Sequence, residues 1–397
     1  MTTWWRRFLV RGVFWRQFLH WAVRVVPPWI EPVTIAFWSL FFLLWGPGRR
    51  GVMRNLTAIK PGSNAVTNFF RCYRVFWNYA WAITDAARFK EEGTVPDWEF
   101  TGWKNFEAMQ ARGGAVLLTA HMGSYDLGAQ IFSQNSRQPI VMVRAPETDP
   151  QTRAFEEQHK PAGLQIEFSA QNGELALDLL HAVTSGGIVA IQGDRVTEGI
   201  AALPATMFGK AMQVPAGPFA LAMAARAPIY PVFVVRRGRR RYCLVSCEPI
   251  EIVRSADRDA DFAAAVAKWT ERLESLIAAT WYQWFAFEPF SPELECGTGA
   301  ADGLRTRPTS TVDRVILADG HRSAVGYYSA AFGYLALVAC FLAAFMPLWA
   351  AIPLSPIAIQ IPIYAFGLAF GNRRAVAAGY VVCGAAMAWY LALQVIP

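Results

Sequence analysis

Charged side chains are scarce in this sequence. They make up 17% of the 397 residues, against 54% hydrophobic and 14% aromatic, which excludes a disordered chain and leaves more apolar residues than an ordinary soluble domain holds. Cysteine is sparse and unpatterned: the six, at 72, 243, 247, 296, 340 and 383, form no CxxC pair. That excludes a stapled scaffold and a zinc ribbon, and predicts reduced structural thiols in a domain facing the cytoplasm. Acidic residues are almost missing from the start, where Met1 to Arg54 carries eight Arg, no Lys and one acid, Glu31. Such an arm suits anionic lipid or phosphate rather than a general basic field. Arginines at 6, 7, 11 and 16 interrupt any apolar leader, so no cleaved signal peptide is expected. Neither an internal repeat nor a nucleic-acid motif is present.

What is there divides by composition into four parts. Residues 1–103 hold eleven of the sixteen Trp together with the arginine arm, the pairing typical of a headgroup zone. The apolar stretch Val33 to Trp45 falls short of the ~20 residues a spanning helix needs, so it reads as interfacial or re-entrant, with a tilted single span as the alternative. In Phe8 to Val26 the arginines can snorkel while the aromatics insert. Residues 104–290 alternate short apolar runs with amphipathic ones. Ala115–Ala120, Pro139–Val143, Gly187–Gln192 and Ile229–Val235 read as buried strands; Asn172–Thr184 and the three-and-four spacing of Phe262, Val266, Trp269, Leu273, Leu276 and Ile277 read as helices. The fold class expected is α/β, a mixed central sheet with helices on both faces. Residues 291–322 look like a linker. Residues 323–397 hold runs at 327–346, 350–370 and 375–396, each about long enough to cross a bilayer. Arg322, Arg373 and Arg374 orient the three expected transmembrane helices with their basic ends in the cytoplasm.

The sharpest local signal is Leu117-Leu118-Thr119-Ala120-His121-Met122-Gly123-Ser124-Tyr125-Asp126. On one continuous helix, residues five apart differ by about 140° in azimuth and do not meet. With His121 at a strand end and Gly123 in a turn, Asp126 falls in the first helical turn and its carboxylate reaches back to the ring. That makes a general-base dyad, free to deprotonate a hydroxyl. The plainer reading is a core histidine beside an Asp placed at a helix N-terminus by the helix dipole. Ser124 lacks the G-x-S-x-G elbow of a hydrolase. No other histidine joins His121 at metal-ligand spacing, so no metal is expected.

These residues resemble the acyltransferase signature of the lysophospholipid acyltransferase superfamily, and within it the bacterial lipid A biosynthesis lauroyl/myristoyl branch. The resemblance runs over roughly residues 10 to 290. It is carried by Asn55-Leu56 with Pro61, the block His121 to Asp126, Val143-Arg144, Gln192-Gly193-Asp194-Arg195, Met207-Phe208-Gly209-Lys210 leading into Val214-Pro215-Ala216-Gly217-Pro218, and the aromatic close Trp281 to Phe290. Arg195 departs from that branch towards mannoside and glycerolipid acyltransferases, in which an arginine contacts substrate phosphate. The branch's basic His-Arg-Arg element is missing after Trp284.

The resemblance implies a membrane-associated acyltransferase that moves a fatty acyl chain from acyl carrier protein or coenzyme A to a hydroxyl of a lipid or glycolipid, lipid A-like, acceptor. The donor is a co-substrate and no cofactor is expected. His121 would be the base and Asp126 would orient it, while amides near Gly123 would meet the oxyanion. Arg144, Asp194, Arg195, Phe208 and Gly209 would contact substrate. The expected place is the bacterial inner membrane, with the catalytic domain on the cytoplasmic side. The arginines at 236, 237 and 239–241 read as a solvated hairpin turn, or as a gathering point for anionic lipid or acyl carrier protein. Two rival readings are a non-catalytic lipid-binding protein built on a degenerate domain, and an acyltransferase for a non-glycolipid metabolite.

Overall fold

The computed structural model describes residues 13–45, 48–144, 149–158, 164–168, 173–197 and 199–294. The expected linker beyond 294 and the three expected C-terminal spans lie outside the described residues. Ten α-helices and nine strands are described, beginning with α1 (Val13–Val25), α2 (Glu31–Trp45), α3 (Arg49–Ile59) and α4 (Ala65–Glu92). Asn64 caps α4, its side chain accepting the Thr67 N–H at 2.8 Å, and Gly93 ends it in the left-handed conformation at φ 67°, the residue types those two positions favour.

From there the chain alternates: β1 (Asp97–Thr101), α5 (Trp103–Arg112), β2 (Ala115–Thr119), α6 (Tyr125–Asn135), β3 (Ile140–Arg144), α7 (Pro150–Gln158), β4 (Leu164–Phe168), α8 (Gly173–Thr184) and β5 (Ile188–Gln192). The hairpin β6 (Ala202–Met207) and β7 (Lys210–Pro215) follows, then α9 (Gly217–Ala225), β8 (Ile229–Gly238), β9 (Arg241–Ser246) and α10 (Arg258–Thr280).

Seven strands form one sheet in the order β1-β9-β8-β2-β5-β3-β4. β8, β2, β5, β3 and β4 run parallel, while β9 is antiparallel to β8 and β1 parallel to β9. Alternation along β2 sends Val116 and Leu118 into the core under α8, α9 and α10, and Ala115 and Leu117 into a second cluster with Phe106 and Met109 of α5 and Phe132 of α6. Helices therefore cover both faces, as a parallel sheet requires. The three-and-four pattern at 262–277 is the buried stripe of α10, whose N-cap Asp257 accepts the Ala260 N–H at 3.0 Å.

The N-terminal helices pack on the domain. Ile35, Ala36 and Leu43 of α2 are buried in the main core with Tyr73, Trp77 and Trp81 of α4. At 15 residues α2 falls short of a span, and no described helix is long and apolar enough to cross a membrane. Its outer face leaves Phe37 and Leu44 exposed, and Trp21, Val25 and Trp29 are exposed on α1 and the turn after it.

Arg236, Arg239 and Arg240 of the basic stretch are paired on the protein rather than solvated, while Arg241 stays exposed. Glu31, 3% exposed at the start of α2, accepts from Arg239 at 2.7 Å and Arg240 at 3.3 Å and pairs with Arg88 of α4. Arg236 lies over the Trp81 ring at 5.0 Å and donates to Asn78. A lone buried carboxylate is costly, and the β8–β9 turn supplies its counter-charges. These arginines tie α2 to the sheet.

Candidate active site

The register of the sheet assembles the site. β2 and β5 lie side by side with Thr119 opposite Gln192, so residues two beyond each strand end, His121 and Asp194, become neighbours at the carboxyl edge where α/β sheets place ligands. His121 Nδ1 sits 2.7 Å from Asp194 Oδ1, and the His121 backbone N–H donates to Oδ2 at 3.1 Å. Trp284 Nε1–H donates to the same Oδ2 at 2.9 Å. Asp194 is 3% exposed. Burial alone would raise its pKa, but the charge and hydrogen bond of His121, the Arg195 charge and the Trp284 N–H outweigh it and hold the carboxyl well below its ordinary range.

This corrects the expected dyad. Asp126 is the second residue of α6, and its carboxylate pairs with Arg144 Nη2 at 2.5 Å. Arg144 ends β3, on the far side of β5 from β2, so the carboxylate bonded to the ring is that of the adjacent strand's loop. Burial pushes the Asp126 pKa up, and Arg144, Lys90 and Arg16 bring it below the ordinary value.

Gly123 has a structural task. At φ 55° it sits in the left-handed region, and a Cβ there would collide with the Val234 carbonyl. Its N–H already donates to the Gln283 carbonyl at 3.0 Å, so this amide does not face a substrate. Phe208 and Gly209, both at positive φ (52° and 70°), form the two-residue tip between β6 and β7. The Phe208 N–H donates to Glu274 of α10 at 2.8 Å, and its ring meets Phe290 at 6.4 Å. Neither residue lines the cleft described next; the tip is packed on α10.

A cleft of about 3290 Å³ opens over the strand ends, lined by Arg16, Tyr79, His121, Tyr125, Arg144 and Arg195 among others. That is several times the roughly 300–1,000 Å³ of a small-molecule pocket. Trp15, Phe18, Trp38, Phe42, Phe285 and Phe287 give it apolar walls. Burial raises the pKa of both Tyr79 and Tyr125, so both stay protonated and able to donate. Among the described residues no group of three or more His, Cys, Asp or Glu is arranged to hold a metal.

The segment after α10 stitches the β2 and β5 loops together. The Gln283 carbonyl takes the Gly123 N–H, the Phe285 N–H donates to the His121 carbonyl at 2.8 Å, and Arg195 Nη2 donates to the Phe285 carbonyl at 3.1 Å. Together with the Trp284 bond to Asp194, residues 283–285 splint the β2 loop to the β5 loop. A model of bacterial lipid A biosynthesis acyltransferases matches residues 6–289. The chain belongs to that family. The matched span contains His121, Asp194 and the splint, so the bonded dyad sits inside the part shared with these acyltransferases. No match was found among curated proteins.

Sequence reading missed Trp284, Gln283 and the pairing of His121 with Asp194. The aromatic run 281–290 signalled that the segment mattered, but aromatic composition does not say where an indole N–H points.

Proposed function

We propose that the protein transfers a fatty acyl chain from an acyl thioester, on acyl carrier protein or coenzyme A, to a hydroxyl of a lipid or glycolipid acceptor of lipid A type. The observation that carries this is the His121 ring, bonded through Nδ1 to buried Asp194 and bordering the cleft, in a chain of this acyltransferase family. Nδ1 bound to a carboxylate keeps its proton, which leaves Nε2 as the base. Nε2 takes the acceptor hydroxyl proton as the oxygen attacks the thioester carbon. The tetrahedral oxyanion then collapses, the C–S bond breaks, and the proton passes to the leaving thiolate.

With the Gly123 amide bonded to Gln283, the Arg195 guanidinium and the Tyr79 and Tyr125 phenols are the cleft-lining donors for the oxyanion or the acceptor. Arg144 and Arg195 suit a phosphate or carboxylate on the acceptor. The exposed Trp21, Trp29, Phe37 and Leu44 face the bilayer in this reading, at the cytoplasmic side of the bacterial inner membrane, with the C-terminal runs as anchors.

The deciding assay is thiol release from long-chain acyl thioesters by the detergent-purified protein, with and without lipid extract, for wild type beside His121→Ala. Lipid-dependent release lost in the variant is the expected result. Equal inertness of both across donors and lipids would overturn it and leave the lipid-binding reading. A panel of acceptors separates a glycolipid from another hydroxylated metabolite.

A further inference from the structure

We propose that Trp284 is a positioning residue: its indole N–H, by holding Asp194 Oδ2, fixes the carboxylate's rotation and limits how strongly Oδ1 attracts the proton on His121. The proposal rests on the reading of His121 as the base. A carboxylate offers about four lone-pair sites, and three are filled within the protein. Oδ2 accepts both the His121 backbone N–H and the Trp284 indole, while Oδ1 accepts the ring. The two Oδ2 bonds come from separate segments, one from the β2 loop and one from the 283–285 splint, so the carboxylate is held from both and Oδ1 is left to the ring. Trp284 and Asp194 are each 3% exposed, so in the folded protein bulk water does not compete with the indole for Oδ2.

A second buried indole supplies the contrast. Trp269 of α10 donates to the Gly193 carbonyl at 3.2 Å, one residue from Asp194, and is fully buried. It holds backbone, whereas Trp284 holds the charged group. A merely structural role predicts the same outcome for both. A role in setting the dyad predicts different ones, because only the Trp284 bond draws charge from the carboxylate. Without that donor Asp194 becomes more basic and stabilises the protonated imidazole more strongly.

The test compares full-length wild type, Trp284→Phe and Trp269→Phe in detergent by the pH–rate profile of thiol release. Beside it, the ring-proton NMR titration of His121 is assigned by the signal lost in His121→Gln. In Trp284→Phe the acid limb and the NMR midpoint move to higher pH by about half a unit or more, with kcat reduced and donor KM little changed. In Trp269→Phe neither moves. Should Trp284→Phe not fold, 3-benzothienylalanine at 284 keeps the ring shape and lacks only the donor, and the same upward shift is expected. An unmoved or downward midpoint, or an equal shift in Trp269→Phe, overturns the proposal. Because the NMR arm needs no turnover, an inert wild type would count against acyl transfer while the midpoint still decides the role of Trp284.

Discussion

Two of the buried carboxylates among the described residues, Glu31 and Asp194, make a contrast built on the same physics. Glu31 and Asp194 are each 3% exposed, and each draws cationic or N–H donors from distant parts of the chain. Around Glu31 the partners are Arg88, Arg239 and Arg240, and the cluster joins α2, α4 and the β8–β9 turn. Around Asp194 one partner is an imidazole whose side chain is 20% exposed and which borders the cleft. A buried ionic contact is therefore no mark of chemistry by itself. What separates the two is that a partner of Asp194, the His121 ring, borders the cleft.

The comparison breaks most sharply at His121. Replacing it by alanine should lower kcat for thioester-dependent acylation by at least ~100-fold, with the melting temperature near that of wild type; a variant that keeps most of its rate would remove the distinction between the two centres. Asp194→Asn comes next, at roughly 100-fold in kcat, because an amide no longer fixes the ring tautomer. Asp126→Asn should cost less than about ten-fold and appear mainly in KM, since its partner is Arg144. The reverse order in side-by-side kinetics would restore Asp126 as the orienting carboxylate.

Glu31→Gln tests the other centre. It strips the counter-charge from three arginines and should destabilise by about 2–4 kcal/mol, after allowance for the partial exposure of Arg239 and Arg240. Denaturant melts would report this, with the specific activity of the folded fraction retained. A variant as stable as wild type would show that the arginines hold nothing.

The smallest effect is the pH dependence of stability. The Asp194 carboxyl titrates below its ordinary value in the folded protein, so its contribution is present above about pH 4, the unfolded value, and is lost as pH falls through the lower folded one. The stability gap between wild type and Asp194→Asn should accordingly be constant near neutrality and begin to narrow only as pH falls below about 4, as melts from pH 2 to 7 would record. A gap independent of pH would argue that the aspartate matters for shape and not for charge.

Much of the fold was legible because it depends on local period. The apolar runs of β2, β3, β5 and β8 and the stripe of α10 are written in consecutive residues. The site was half legible. His121 at a strand end follows from Ala115 to Gly123, but which carboxylate it meets depends on strands pairing in the order β2-β5-β3, 73 residues apart for His121 and Asp194. A five-residue spacing drew attention to Asp126, while the closer neighbour came from register. The arginines at 239 and 240 misled for the same reason: a basic turn looks solvated until Glu31, more than 200 residues earlier, is seen beneath it.

The splint at 283–285 also carries a consequence for synthesis. His121 and Asp194 have both been added to the chain by residue 194, yet the indole that holds the carboxylate follows 90 residues later. Until then the nascent chain holds both members of the dyad without the bonds that align them. The last-made part of the domain is thus what locks the pair in place.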